Sequence, residues 1–189
     1  MKILILVDKE NKDKILRYEI ISFLKKELTN LEDLNLIDLN EYDLKSCIGC
    51  FGCWVKTPGL CVIKDKGEEI NREFINSDFV IYIGRITYGS YSVTLKRSLD
   101  RVIPNISPFF KITNNEVHHK PRYKRYPELI HVGYCTNITE EERYTFKSLV
   151  KANEVNLQKD KSDIFIVENI EDIKEYLKDI PRIIKGDIK

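Results

Sequence analysis

Short apolar runs alternate with helix-periodic runs from one end of the chain to the other, and this alternation limits its architecture more than any other feature. The runs KILILV (2–7), LNLIDL (34–39), DFVIYIG (78–84), LIHVGYC (129–135) and DIFIV (163–167) have the length and composition of buried strands. Each is followed by a helix-periodic stretch, which is the connection that parallel strands require and two-residue hairpins do not.

The helices carry their own boundary signals. A helix from about Asp13 to Leu28 has Leu16, Ile20, Phe23, Leu24 and Leu28 on one face. Asp65 and Glu68 resemble a capping box for a second helix, to about Asn76. Ser92 precedes a third with Leu95, Leu99, Val102 and Ile103 inward, Thr139 and Glu142 frame a fourth to about Val155, and Asn169 is read as the cap of a fifth with Ile173, Tyr176, Leu177 and Ile180 inward. A segment at about 104–127, with Pro104, Pro108, Pro121 and Pro127, reads as an irregular excursion.

Five βα units in 189 residues predict one doubly wound domain over 1–189, with a five-stranded parallel sheet of order 2-1-3-4-5 and helices on both faces. In such a sheet, ligands sit outside the carboxyl ends of the strands at the topological switch point. The loops after strands one, three and four are therefore expected to form the site, with the loop after strand two close by.

Charge narrows the partners. Lys and Arg number 31 against 30 for Asp and Glu, which argues for neither nucleic acid nor a membrane surface. The opening MKILILVDK has too short an apolar run for a signal peptide, so the cytoplasm is the expected location. Thiols stay reduced there, which bears on CIGCFGCWVKTPGLC (47–61), where four of the five cysteines lie. Cys47, Cys50, Cys53 and Cys61 could supply the four thiolates of a four-iron four-sulfur cluster, stand as free thiols in a loop, bind zinc, or form a thiol-disulfide couple. Cys135, at the end of strand four, could reach the ligand pocket or serve as core packing.

The stretch CIGCFGCW…PGLCVIKD, the strand DFVIYIG and the run TYGSYSVTLKRSLDR together resemble the flavodoxin-like NAD(P)H-dependent FMN reductase family, including its iron-sulfur flavoprotein branch. In that family a P-x-Y-x-G turn wraps the flavin ring. Ile86, Tyr88 and Ser90 fall on its three positions, with Gly89 one place early and Lys96, Asp100 and Arg101 following at the family spacing. The resemblance implies a flavodoxin-like fold, FMN as cofactor and NAD(P)H as hydride donor. It further implies a quinone, a flavin or a redox protein as acceptor, and a homodimer with Trp54 and Phe51 packed over the cofactor or against the second subunit.

On this reading Thr87, Tyr88, Gly89 and Ser90, with Gly133 and Tyr134 of strand four, hold the ring. The glycine-, serine- and threonine-rich phosphate loop of the family is replaced by VDKENKDK, so Lys9, Asn11, Lys12 and Lys14 are expected to meet the phosphate while Asp8, Glu10 and Asp13 oppose it. No acid-base catalyst is assigned, because hydride transfer between well-positioned partners needs none. The segment HHKPRYKRYP (118–127) is either a positive field for a pyridine nucleotide or a solvated face. Two other functions compete: an electron carrier with FMN and a cluster at the four cysteines, and a binding module of this fold that has lost its flavin.

Overall fold

A computed structural model describes residues 1–8, 10–30, 33–113, 115–159, 161 and 163–186. In chain order the elements are β1 (Lys2–Val7), α1 (Lys14–Leu28), β2 (Asp33–Asp38), α2 (Gly52–Val55), α3 (Gly67–Asn76), β3 (Phe79–Arg85), α4 (Val93–Asp100), a 3-10 turn (Ile103–Asn105), β4 (Ile106–Thr113), β5 (Glu116–Pro121), β6 (Glu128–Tyr134), α5 (Glu140–Asn156), β7 (Asp163–Val167), α6 (Ile173–Leu177) and α7 (Asp179–Lys185). The main sheet runs β2-β1-β3-β6-β7, every neighbour parallel, which is order 2-1-3-4-5 when its own strands are counted.

The central strands read as continuous apolar runs because both their faces are covered. Leu4, Leu6, Val80 and Tyr82 join a core with Ile70, Phe74, Leu95 and Phe146 of α3, α4 and α5. Ile3, Ile5, Ile81 and Ile83 point the other way, onto Leu16, Ile20 and Leu24 of α1 and Leu177 and Ile180 of α6 and α7. Each fully buried aliphatic side chain contributes roughly 1.5–3 kcal/mol, so the alternation also holds the register.

Ser92 caps α4 by accepting from Leu95 N, and Thr139 with Glu142 closes a full capping box on α5. Three other expectations are corrected. Asp65 does not form a capping box: its carboxylate accepts from Gly67 N and is committed to Arg101. Asn169 hydrogen-bonds Asp172 instead of capping, and the last helix is split into α6 and α7 because Pro181 has no N–H and its ring clashes with the carbonyl four residues back. Tyr176, expected inward, is 43% exposed, beside buried Ile173 and Leu177 of α6.

The segment expected to be irregular is an antiparallel ribbon, β4 against β5. Its prolines misled because a two-stranded ribbon consists only of edges, where a missing N–H costs little. Pro108 lies in the register shift between Ile106 and Phe110, and Pro121 ends β5.

Candidate functional site

The carboxyl ends of β1, β3 and β6 are tied together by charged and polar side chains. Asp8, fully buried just past β1, accepts from Tyr134 Oη at 2.7 Å and Arg85 N at 2.8 Å. Burial pushes its carboxyl up, against the lowering effect of hydrogen bonds from Ser92, Tyr134 and Arg85 N. Arg17 of α1 donates to the carbonyls of Asp8 and Glu10, which holds the loop between β1 and α1 to its own helix.

Asp13, the residue before α1, takes a left-handed conformation at φ 60° and does not cap the helix. Its carboxylate instead accepts from Arg85 Nε at 2.8 Å and Thr136 Oγ1 at 2.7 Å. The Asp13 and Arg85 side chains are only 6% and 10% exposed, and Arg85 also donates to Thr87 Oγ1 and lies 3.8 Å from Cys135 Sγ. One ion pair therefore joins the three loops at the switch point.

Thr87 and Ser90 exchange both backbone hydrogen bonds at 2.9 Å, closing a two-residue turn with Tyr88 at φ 51° and Gly89 at φ 71°. Positive φ at both central residues is the primed hairpin geometry. Asn or Gly is usual there, and a bulky aromatic in that region costs of order 1–3 kcal/mol. The turn holds the Tyr88 ring 90% exposed.

The space beside Gly89 is taken by the chain itself, since a Cβ would lie 2.8 Å from Thr145 Cβ and 3.2 Å from Glu142 O. Gly89→Val is therefore expected to destabilise the ligand-free protein by about 1–3 kcal/mol, read as a lowered melting temperature. An unchanged melt would show that α5 yields without cost.

Of the other residues expected to touch a cofactor, Asn11 and Lys14 line a cleft of ≈ 450 Å³ with Asp13, Thr136, Glu168 and Glu171. Lys12 is exposed, and Lys9 lies outside the described residues. Gly133 and Tyr134 lie beneath the site: a Cβ on Gly133 would meet Ile86 Cδ1 at 2.7 Å, and Tyr134 is fully buried with its hydroxyl on Asp8.

The cysteine loop belongs to a different place. Arg101, just after α4, grips both its ends, donating to Lys45 O at 2.6 Å and bidentately to Asp65 at 2.7 and 2.8 Å. Asp65 also accepts from Lys45 N and Gly67 N; burial raises its carboxyl, but these bonds outweigh it and hold the group at about 2. Trp54 stacks on Phe51, meets His119 at a tilt and donates to Ile106 O, so it packs on the ribbon. Ser92, beside the Tyr88 turn, and Arg101, at the cysteine loop, cap opposite ends of the eight-residue α4, which is about 12 Å long at 1.5 Å per residue.

Cys47, Cys50, Cys53 and Cys61 are free and line one small cavity of ≈ 50 Å³ with Ile48, Phe51, Ile63 and Ile103. Burial pushes the Cys53 thiol up, as do Cys61, Cys47 and Cys50. Among the described residues no three His, Cys, Asp or Glu side chains are grouped to hold a metal ion. Of the basic segment, His119 is sandwiched between Trp54 and Phe110, and Arg125 pairs with Asp78 at the start of β3. Arg125 thus lies at the amino-terminal edge of the main sheet, opposite the loops that form the site.

Sequence reasoning missed Arg85 and Thr136 as partners of Asp13, and no local signal marks them. No helix among the described residues is long and apolar enough to cross a membrane.

No protein-family model and no curated protein matches the chain. Solved structures of similar fold include an FMN-dependent NADH-azoreductase from Bacillus anthracis in complex with FMN, at 13% identity and TM-score 0.65 with 100% of both chains covered. Another is the NAD(P)H:quinone oxidoreductase from Methanothermobacter marburgensis, at 11% identity and TM-score 0.68, covering 97% of this chain and 96% of that one. The chain has the flavodoxin-like fold.

Proposed function

We propose that this protein is an NAD(P)H-dependent flavin oxidoreductase that passes electrons to a small acceptor such as a quinone, a free flavin or a redox protein. The observation that carries the reading is Tyr88, an exposed aromatic held at positive φ on a closed turn at the β1/β3 switch point. Strain of this kind persists where a function needs the ring presented, and a flat ligand is what a rigid exposed aromatic face receives. The azoreductase and the quinone oxidoreductase of the same fold support the reaction class.

Tested against FMN, the site fits the ring and not the terminal phosphate: the Tyr88 turn is open, whereas the convergence of the three loops is filled by the Asp13–Arg85 pair. A bound isoalloxazine would supply hydride acceptance and electron transfer. The chain's part is orientation: Thr87 and Ser90 hold the turn closed, Gly89 seats it on α5, and Ser92 caps the start of α4 that follows.

A cytoplasmic location keeps the five free thiols reduced. A homodimer is supported by the exposed Ile48, Phe51 and Val55 of the cysteine loop, joined by the aromatic stack to exposed Phe110 of the ribbon.

Binding of riboflavin and FMN, with NADH and NADPH oxidation in the presence of a quinone, tests the reading. Tyr88→Asn retains a residue that tolerates positive φ but removes the ring, and is expected to weaken flavin binding about tenfold or more. Wild-type affinity in that variant sinks the assignment.

A second reading, an electron carrier with a four-iron four-sulfur cluster, would require Cys47, Cys50, Cys53 and Cys61, which line one cavity, to draw together, since among the described residues no three of them are grouped to hold a metal ion. Stoichiometric iron after anaerobic preparation, lost on changing any of the four to Ser and kept in Cys135→Ser, would establish it; iron-free protein removes it.

A further inference from the structure

We propose that Asp13 is a built-in anion at the ligand edge, so that this site takes an unphosphorylated isoalloxazine of the riboflavin class in preference to its 5′-phosphate. The inference rests on the flavin reading above and specifies the ligand of that same site.

In an open parallel sheet the start of the helix after β1 is where a nucleotide phosphate finds backbone donors and the positive end of the helix dipole. Here the residue at that point is itself a carboxylate, turned away from α1 toward Arg85 and Thr136. The contacts made there draw on every loop a phosphate would touch: Asp13 from the first, Arg85 and Thr87 from the second, Cys135 and Thr136 from the third.

Charge reinforces the geometry. Arg85 is already neutralised by Asp13, and Arg17 is spent on the carbonyls of Asp8 and Glu10. Asp8 also lies close by, accepting from Arg85 N, and among the described residues the adjoining cleft is lined by Glu171, by Glu168, which is paired with Arg143, and by Lys14. A phosphate dianion entering here must displace one carboxylate from its guanidinium and sit beside others. An uncharged ribityl chain meets no such opposition, and its hydroxyls can hydrogen-bond to carboxylates.

The test compares riboflavin, FMN and inorganic phosphate on wild type and on Asp13→Asn, which keeps the shape of the side chain and frees the charge of Arg85. Wild type should bind riboflavin at least as tightly as FMN and gain no melting temperature from inorganic phosphate. Asp13→Asn should bind FMN about tenfold or more tightly than wild type does, with riboflavin nearly unchanged, and should be stabilised by phosphate. The gain should vanish in Asp13→Asn combined with Arg85→Gln.

FMN bound about tenfold or more tightly than riboflavin by wild type overturns the proposal, and this arm holds even if Asp13→Asn does not fold. So does unchanged FMN affinity in a folded Asp13→Asn. If neither flavin binds either protein while phosphate stabilises Asp13→Asn alone, the flavin reading fails and the role of Asp13 stands.

Discussion

Asp65→Asn is expected to cost about 3–5 kcal/mol of folding stability, because it leaves the Arg101 guanidinium buried without its counter-charge. The two side chains are 3% and 8% exposed, and the carboxylate accepts four hydrogen bonds, two from Arg101 and one each from Lys45 N and Gly67 N. Urea unfolding measures the loss. Since the pair closes both ends of the cysteine loop, Cys53 and Cys61 should also alkylate faster. The carboxyl is held at about 2 against 3.8 unfolded, so its contribution is present above pH 3.8 and lost as pH falls toward about 2. That acid limb should be absent from the variant. A loss below about 1 kcal/mol would place the pair among screened surface contacts.

Glu154→Gln is expected to stabilise the protein at alkaline pH by several kcal/mol. Glu154 of α5 and His131 of β6 are each 2% exposed, with Nε2 3.1 Å from Oε1 but out of hydrogen-bonding alignment, and Tyr82 stacks on the imidazole at 5.0 Å. Burial pushes Glu154 up to about 8 and His131 down to about 3, so both are neutral near pH 7.

For Glu154 the folded state holds a proton that the unfolded state has lost, so stability falls from pH 4.5 to about 8, at roughly 1.4 kcal/mol per unit. For His131 it is the unfolded state that holds the proton, and stability falls from pH 6.5 down to about 3. The two slopes cancel between pH 4.5 and 6.5. Glu154→Gln should match wild type below pH 4.5, gain steadily to about pH 8 and keep the acid limb of His131. Melting temperatures across this range check it. A variant less stable than wild type near neutral pH would show instead that the pair is ionised and attractive.

Much of the architecture was legible because it rests on short-range signals. The apolar runs 2–7, 78–84 and 129–135 could only be strands covered on both faces, and Ser92 and Thr139 marked helix starts through hydrogen bonds spanning three residues. The ribbon was missed because proline argues against a central strand and says little about an edge. Pro181 was overlooked where its lost donor did break a helix.

The site was legible as a place and less so as a set of contacts. Tyr88 and Gly89 could be picked out as a turn, but only the packing of α5 shows that Gly89 is small for the sake of Thr145. The charges decide most and are the least local. Asp13 meets Arg85 72 positions away and Thr136 123 positions away, and Asp65 meets Arg101 across 36. Such pairs are set by strand order and register, which place loop ends side by side irrespective of the residues between them. The sequence by itself determined a doubly wound sheet and the edge where a ligand belongs; tertiary structure alone decided that the anion at that edge is the protein's own.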